Sequence, residues 1–146
     1  MDSARYIALI DELCLRPFPA EHGPSDTGAA GPGWHLAELA GSHGLRGGDP
    51  AGRAVAVEQC EKERDALHEH MASRWGEGDV LNLQTVLLRT DREEIPEPWA
   101  SLSARARVAY LWAARGTGRW IAVAVADRDE ADEVQLLAVV TRADPP

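Results

Sequence analysis

A long stretch with helical periodicity, residues 51–75, constrains the fold of this chain more than any other feature. Its apolar side chains recur at steps of three, four and seven residues, which places them on one stripe of an α-helix: Ala54, Val57, Cys60, Leu67, Met71 and Trp75. The glycines at 76 and 78 predict the end of this helix. A helix with a single apolar stripe has to bury it against another element, so the rest of the chain must supply a packing surface.

Beyond residue 78 the pattern changes to short runs rich in β-branched and aromatic residues, which predict strands. The runs cover residues 80–88, 108–112, 120–125 and 134–141. Between the second and third runs, the sequence Arg-Gly-Thr-Gly at 115–118 predicts a hairpin turn that places Trp112 opposite Ile121. An antiparallel sheet is therefore expected in the C-terminal half.

Residues 103–115 fit a second interpretation, because an alanine- and arginine-rich helix would also suit this segment. In that helix one stripe would hold Leu102, Ala106, Ala109, Tyr110 and Ala113. The glycine turn and the aromatic pair Tyr110 and Trp112 favour the strand. The sheet has four strands in this interpretation and three in the other.

The N-terminal part predicts a helix at residues 3–15, which ends before Pro17 because the residue before a proline is disfavoured in the helical region. Residues 17–33 contain four prolines and four glycines, and they predict a long loop. Residues 34–40 predict one or two helical turns, and residues 44–52 a further loop.

Together these elements predict a single α+β domain over residues 1–146, with a Gly/Pro-rich loop at 17–33. N-terminal helices, including the long amphipathic helix 51–75, would pack on a C-terminal antiparallel sheet of three to four strands. No apolar run approaches the roughly 20 residues that a membrane span needs, and the first residues lack a signal-peptide pattern, so we expect a cytoplasmic protein. In that compartment Cys14 and Cys60 are expected as packed thiols.

The charge of the chain limits the classes of partner. A net charge of −9 and a pI near 4.9 oppose non-specific binding to nucleic acid, because phosphates need a positive surface. The same charge favours a basic protein as partner. We expect no membrane partner, no cofactor and no catalytic residues, since nucleophiles with a partnering histidine and phosphate-binding glycine loops are missing from the sequence.

A dense acidic run between the last two predicted strands is the first candidate site. Its carboxylates could form a hydrated turn or dock a basic partner, and they lack the glycine and spacing of a calcium loop: Asp127, Asp129, Glu130, Asp132 and Glu133. Trp99 is a second candidate contact, because it follows a proline-stiffened strap at residues 92–98. A tryptophan in this position can also fill the protein's own core.

A site between the long helix and the sheet is the alternative. Glu61, Asp65 and His68 lie at i, i+4 and i+7, so they share one helix face and could join His35 around a metal ion or a small molecule. Arg64 interrupts the apolar stripe, and its guanidinium must reach water or pair with a carboxylate, for which Glu93 and Glu94 are the candidates.

The interpretation that these features favour is a non-enzymatic, acidic protein-interaction domain. Its most concrete form is an immunity- or antitoxin-like inhibitor of a basic partner protein, whose carboxylates mimic phosphate. The alternatives are the small-molecule or metal site above, which would leave room for an enzyme, and a homodimer formed through an alanine-rich sheet face. That face would carry Ala109, Ala113, Ala122 and Ala124.

Overall fold

The structure is a computed structural model that describes residues 2–41 and 49–146. The elements follow the chain in the order α1 (Ser3–Leu15), β1 (Gly23–Pro24), β2 (Gly28–Gly31), β3 (Trp34–Gly41), α2 (Pro50–Trp75), β4 (Asp79–Asn82), α3 (Leu83–Arg89), α4 (Trp99–Arg105), β5 (Ala106–Ala114), β6 (Arg119–Ala126) and β7 (Gln135–Thr141). The described part of the chain is thus an α+β fold, as the sequence predicts.

The strands of the described residues form one antiparallel sheet of seven, in the order β1-β2-β3-β7-β6-β5-β4. The prediction of three to four strands is therefore too low. The predicted separation of helices first and sheet second is also wrong, since β1 to β3 precede α2, and α3 and α4 lie between β4 and β5.

Helices cover both faces of the sheet. On one face, Ile10 and Leu13 of α1 and Leu67 and Met71 of α2 pack on a buried cluster of strand residues that includes Val123. On the other face, α3 and α4 form a second core, which also holds the alanines at 106, 109, 122 and 124. The small strand residues on this second face leave room for the large side chains of α3 and α4.

The two strongest sequence predictions are confirmed. The long helix runs over Pro50–Trp75, and Gly76 ends it with φ +86°, a value that side chains disfavour. The hairpin between β5 and β6 pairs Trp112 with Ile121 as predicted, around a turn in which the glycines at 116 and 118 have positive φ. The first helix also has its predicted limits, Ser3–Leu15.

The N-terminal sheet residues were not predicted. The expected loop at 17–33 contains β1 and β2, and the expected helical turns at 34–40 are strand β3, which pairs with β7. Alanine and glycine in β2 give no alternating pattern, and β3 is buried on both faces, so neither shows the periodicity of a half-exposed strand. Gly31 is required by packing, because a Cβ there would lie 2.5 Å from the indole nitrogen of Trp34.

The segment 80–88, predicted as one strand, is mostly helical. It begins in β4 and then turns into α3, because the side chain of Asn82 accepts hydrogen bonds from the amides of Gln84 and Thr85 and so caps a helix. Residues 103–115 divide between the two interpretations: α4 ends at Arg105, and Ala106–Ala114 form β5. Of the loop predicted at 44–52, residues 44–48 lie outside the described residues, and residues 50–52 belong to α2.

Within residues 2–41 and 49–146, no helix combines the length and the apolar character that crossing a bilayer requires. Cys14 and Cys60 are both buried and unpaired as disulfides, as expected for packed thiols.

Candidate functional site

The acidic loop, defined here as residues 127–133, connects β6 to β7 at one end of the sheet. Its own hydrogen bonds shape it. The amide of Asp132 donates to the carbonyl of Asp129 at 3.1 Å, and the Asp129 carboxylate accepts from the amide of Ala131 at 2.9 Å. The Asp132 carboxylate accepts from the amide of Glu133 at 3.0 Å. The first two of these bonds close tight turns that both begin at Asp129.

Arg53, near the start of α2, contacts the acidic loop from the side of the helix and holds its backbone in place. Its Nη1 donates to the carbonyl of Asp132 at 2.7 Å, and its Nη2 donates to the carbonyls of Asp127 at 3.1 Å and Asp129 at 2.9 Å. The planar guanidinium suits such a fork, because its donors are fixed relative to one another. The carbonyls of the loop therefore face α2, while the residues Asp129 and Glu130 are exposed to solvent.

Asp127 differs from the exposed Asp129 and Glu130, because its side chain is only 18% exposed. Nη1 of Arg107 lies 3.4 Å from its Oδ2. The two residues line a cavity of about 170 Å³ between α2 and the sheet, together with Glu61 and Arg64. This volume is smaller than that of most small-molecule sites.

Arg64 occupies the place where the sequence predicts a break in the apolar stripe. Its guanidinium lies over the ring of Tyr110, with 5.4 Å between the guanidinium carbon and the ring centroid. Its Nε donates to the Asp65 carboxylate at 3.1 Å, and its Nη2 lies 4.0 Å from Glu61. The suggested pairing with Glu93 or Glu94 is therefore not what the structure shows, and Glu93 pairs with Arg89 instead.

The four residues of the alternative metal site are not brought together. His68 packs on the rings of Tyr110 and Trp112 in β5, with centroids 4.4 and 5.5 Å away. His35 lies in β3, which β7 and β6 separate from β5. Glu61 and Asp65 contact Arg64, as described above. Among the described residues, no three His, Cys, Asp or Glu side chains are arranged to hold a metal ion.

Trp99 belongs to the protein's own core. It is fully buried at the start of α4, and its indole N–H donates to the carbonyl of Ala143 at 3.1 Å. The side chain is therefore not at the surface to anchor a partner.

Within the acidic loop, by contrast, the sequence identified the exposed carboxylates. It gave no signal for Arg53, whose hydrogen bonds reach residues more than seventy positions further along the chain.

No known protein family matches this chain, and neither does any curated protein or solved structure. Chemically, the described residues offer the exposed carboxylates of Asp129 and Glu130 on a loop whose backbone is held in place by Arg53. Carboxylates accept hydrogen bonds from guanidinium and ammonium groups in bidentate or point contacts. The acidic loop is thus suited to recognise arginine and lysine side chains.

Proposed function

We propose that this chain is a binding protein that docks a basic partner protein through the acidic loop. The observation that carries the proposal is the set of hydrogen bonds that the Arg53 guanidinium donates to three backbone carbonyls of the loop. An arginine that packs beside an acidic loop could pair with its carboxylates and neutralise them. Here it bonds the backbone instead, so the exposed side chains of Asp129 and Glu130 keep their charge available to a partner.

Charge supports the proposal at long range. The chain has a net charge of −9, which attracts a positively charged protein and raises the rate of association at low ionic strength. Electrostatic attraction of this kind weakens over a Debye length of about 8 Å at physiological salt. Association with the proposed partner is therefore expected to slow as salt is added.

Rigidity supports the proposal at short range. A loop that is ordered before binding loses less conformational entropy when the partner arrives. Arg53 fixes the backbone of the acidic loop in the free protein, and so do the hydrogen bonds that the Asp129 and Asp132 carboxylates accept from backbone amides. The carboxylates of Asp129 and Asp132 are thereby held in place, which favours a partner with a matching arrangement of basic side chains.

In its most concrete form, the proposed function is that of an immunity- or antitoxin-like inhibitor. A basic enzyme that cleaves nucleic acid binds phosphates with arginine and lysine, and carboxylates spaced along a rigid loop can occupy the same groups. The buried Trp99 is not part of the proposed interface.

The experiment uses the full chain, immobilised and exposed to lysate of the cells that produce it, with bound proteins identified by mass spectrometry. The decisive variant is Asp129→Asn with Glu130→Gln, which removes two exposed charges and keeps the oxygen that accepts from the Ala131 amide. Its matched control is Asp91→Asn with Glu94→Gln, the same chemical change at exposed residues outside the acidic loop.

The proposal predicts a stoichiometric basic protein that binds the wild type and the control, and whose binding to the Asp129→Asn, Glu130→Gln variant is at least tenfold weaker. Two lost charge pairs of about 1 kcal/mol each are sufficient for such a change. A partner that binds both double variants equally, or whose binding is insensitive to salt, contradicts the proposal.

A further inference from the structure

The two edges of the sheet differ in how well they are protected against the addition of a further strand. The edge strand β1 has two residues, and one of them is Pro24, whose nitrogen cannot donate a hydrogen bond. The other edge strand, β4, has four residues without proline, glycine or lysine, and it pairs with β5 in continuous register. Half of the backbone N–H and C=O groups of β4 point away from β5, where no strand of residues 2–41 and 49–146 receives them.

Strand β4 is held at both of its ends, so this edge is formed before anything binds to it. Ahead of the strand, the indole N–H of Trp112 donates to the carbonyl of Gly76 at 3.0 Å, and a Cβ on Gly78 would lie only 2.8 Å from the Trp112 ring. At the end of the strand, the Asn82 side chain caps α3 by accepting from two backbone amides. A rigid edge loses little conformational entropy when a strand adds to it.

Val80 gives one face of this edge an apolar contact. Its side chain is 67% exposed. Val80 is opposite Tyr110 of β5, and residues directly opposite each other share a face of the sheet. Tyr110 lies on the side of α2, where His68 packs on its ring. A strand added beside β4 would therefore place a side chain next to Val80 on this face, and an apolar side chain fits there best.

Asp79 selects the charge of an added strand on the other face. It is opposite Leu111, which belongs to the core formed with α3 and α4. Asp79 and Glu77 are exposed, and within the part of the chain that the structure describes neither carboxylate is in an ion pair or a hydrogen bond. Both attract lysine and arginine on a neighbouring strand. They disfavour a second copy of this chain, which carries the same net charge of −9.

We propose that residues 79–82 form a docking edge, to which a basic protein adds an extended segment as a further strand. In that segment an apolar residue beside Val80 alternates with basic residues on the face of Asp79, and backbone hydrogen bonds to β4 supply the affinity. The docking edge is distinct from the acidic loop, which joins β6 to β7, because β5 lies between β6 and β4. The inference therefore goes beyond the proposed function and does not depend on it.

The probe is a short peptide of alternating lysine and valine with blocked ends, and amide NMR spectra of the wild-type chain are the measurement. We expect saturable shifts of the amides at residues 79–82, and slower hydrogen exchange of those that point away from β5. The control peptide has the same sequence with methyl groups on its central backbone nitrogens. It keeps the charge and the side chains but cannot complete a ladder, so it should leave these amides unchanged. This comparison does not depend on a substituted chain folding.

Variants of the chain then locate the contact. Val80→Lys places a positive charge beside the basic segment and should weaken peptide binding at least tenfold. Val55→Lys is its matched control, because Val55 of α2 is also 67% exposed and the change in net charge is the same. The Asp129→Asn, Glu130→Gln variant of the acidic loop should bind the peptide as the wild type does, which separates this proposal from the proposed function.

The proposal is overturned if the peptide leaves residues 79–82 unaffected, if the methylated control shifts them equally, or if the two valine variants bind with equal affinity. Loss of peptide binding in the acidic-loop variant also overturns it. So does a wild-type chain that sediments as a dimer while Val80→Lys sediments as a monomer, because the occupant of the docking edge would then be a second copy.

Discussion

Replacement of Arg53 by lysine is the perturbation that most sharply probes the architecture of the acidic loop. Lysine keeps the positive charge, but its single ammonium cannot form the fork that reaches the carbonyls of Asp127, Asp129 and Asp132 together. We therefore expect the variant to retain one of the three hydrogen bonds and to lose two.

The magnitude follows from the surroundings of those bonds. Hydrogen bonds to a charged group contribute about 1.5–3 kcal/mol each when buried, and less where the carbonyl can be rehydrated. Two of the three bonds are only partly buried and the third, to Asp129, is exposed. At about 1 kcal/mol for each lost bond, the free energy of unfolding should fall by about 2 kcal/mol.

Urea denaturation measures this change, and amide hydrogen exchange over residues 127–133 shows where it arises. The amide of Asp132, which donates to the carbonyl of Asp129, should exchange faster in the Arg53→Lys variant. Arg74→Lys is the matched control, because Arg74 lies on the same helix as Arg53 and makes an exposed ion pair with Asp11 of α1. Its replacement should change stability by less than about 0.5 kcal/mol. If the two variants have the same urea midpoint and the same amide hydrogen exchange over residues 127–133, Arg53 does not hold the acidic loop in place.

Three further predictions concern the core. Burial lowers the pKa of His35 below 6.5, so the unfolded state binds a proton more readily than the folded state, and the free energy of unfolding falls as the pH drops below about 6.5. His35→Phe should reduce this loss of stability at acid pH, measured by urea denaturation at several pH values. An unchanged dependence of stability on pH would contradict the prediction. Burial raises the pKa of the thiols of Cys14 and Cys60 to about 11, so iodoacetamide at pH 8 should label them, by mass spectrometry, only after unfolding; rapid labelling of the native chain would refute this. Gly78→Ala places a Cβ 2.8 Å from the indole ring of Trp112 and should cost about 1–3 kcal/mol in urea unfolding, whereas a neutral effect would show that this ring moves freely.

The parts of the fold that were predictable carry their signal within a few residues. The hairpin of β5 and β6 combines alternating apolar residues with glycines where the turn needs positive φ, and α2 combines an apolar stripe with a glycine end. Strands β1 to β3 have no comparable local signal. Strand β3 is placed by its pairing with β7, about a hundred residues further along the chain, and β2 and β1 then add to β3 in turn.

The candidate site divides in the same way. The carboxylates of the acidic loop are visible in the sequence because they are adjacent, whereas the burial of Trp99 depends on Ala143 and the core around it. The role of Arg53 was not predictable, since the carbonyls that it reaches lie more than seventy positions further along the chain. The environment of His35 Nδ1, which is buried and has no hydrogen-bond partner among residues 2–41 and 49–146, was not predictable either. Sequence patterns report composition and period, but not which backbone groups a guanidinium will reach.

The central claim is that residues 127–133 form the surface that docks a basic partner. Hydrogen exchange of the chain with and without the partner captured by the wild type tests it most directly, because protection maps the contact without altering a residue. We predict that the partner slows amide exchange over the acidic loop and the first turns of α2 and leaves exchange in the segment 90–95 unchanged. Protection confined to other surfaces, with the acidic loop exchanging as in the free chain, would contradict the account.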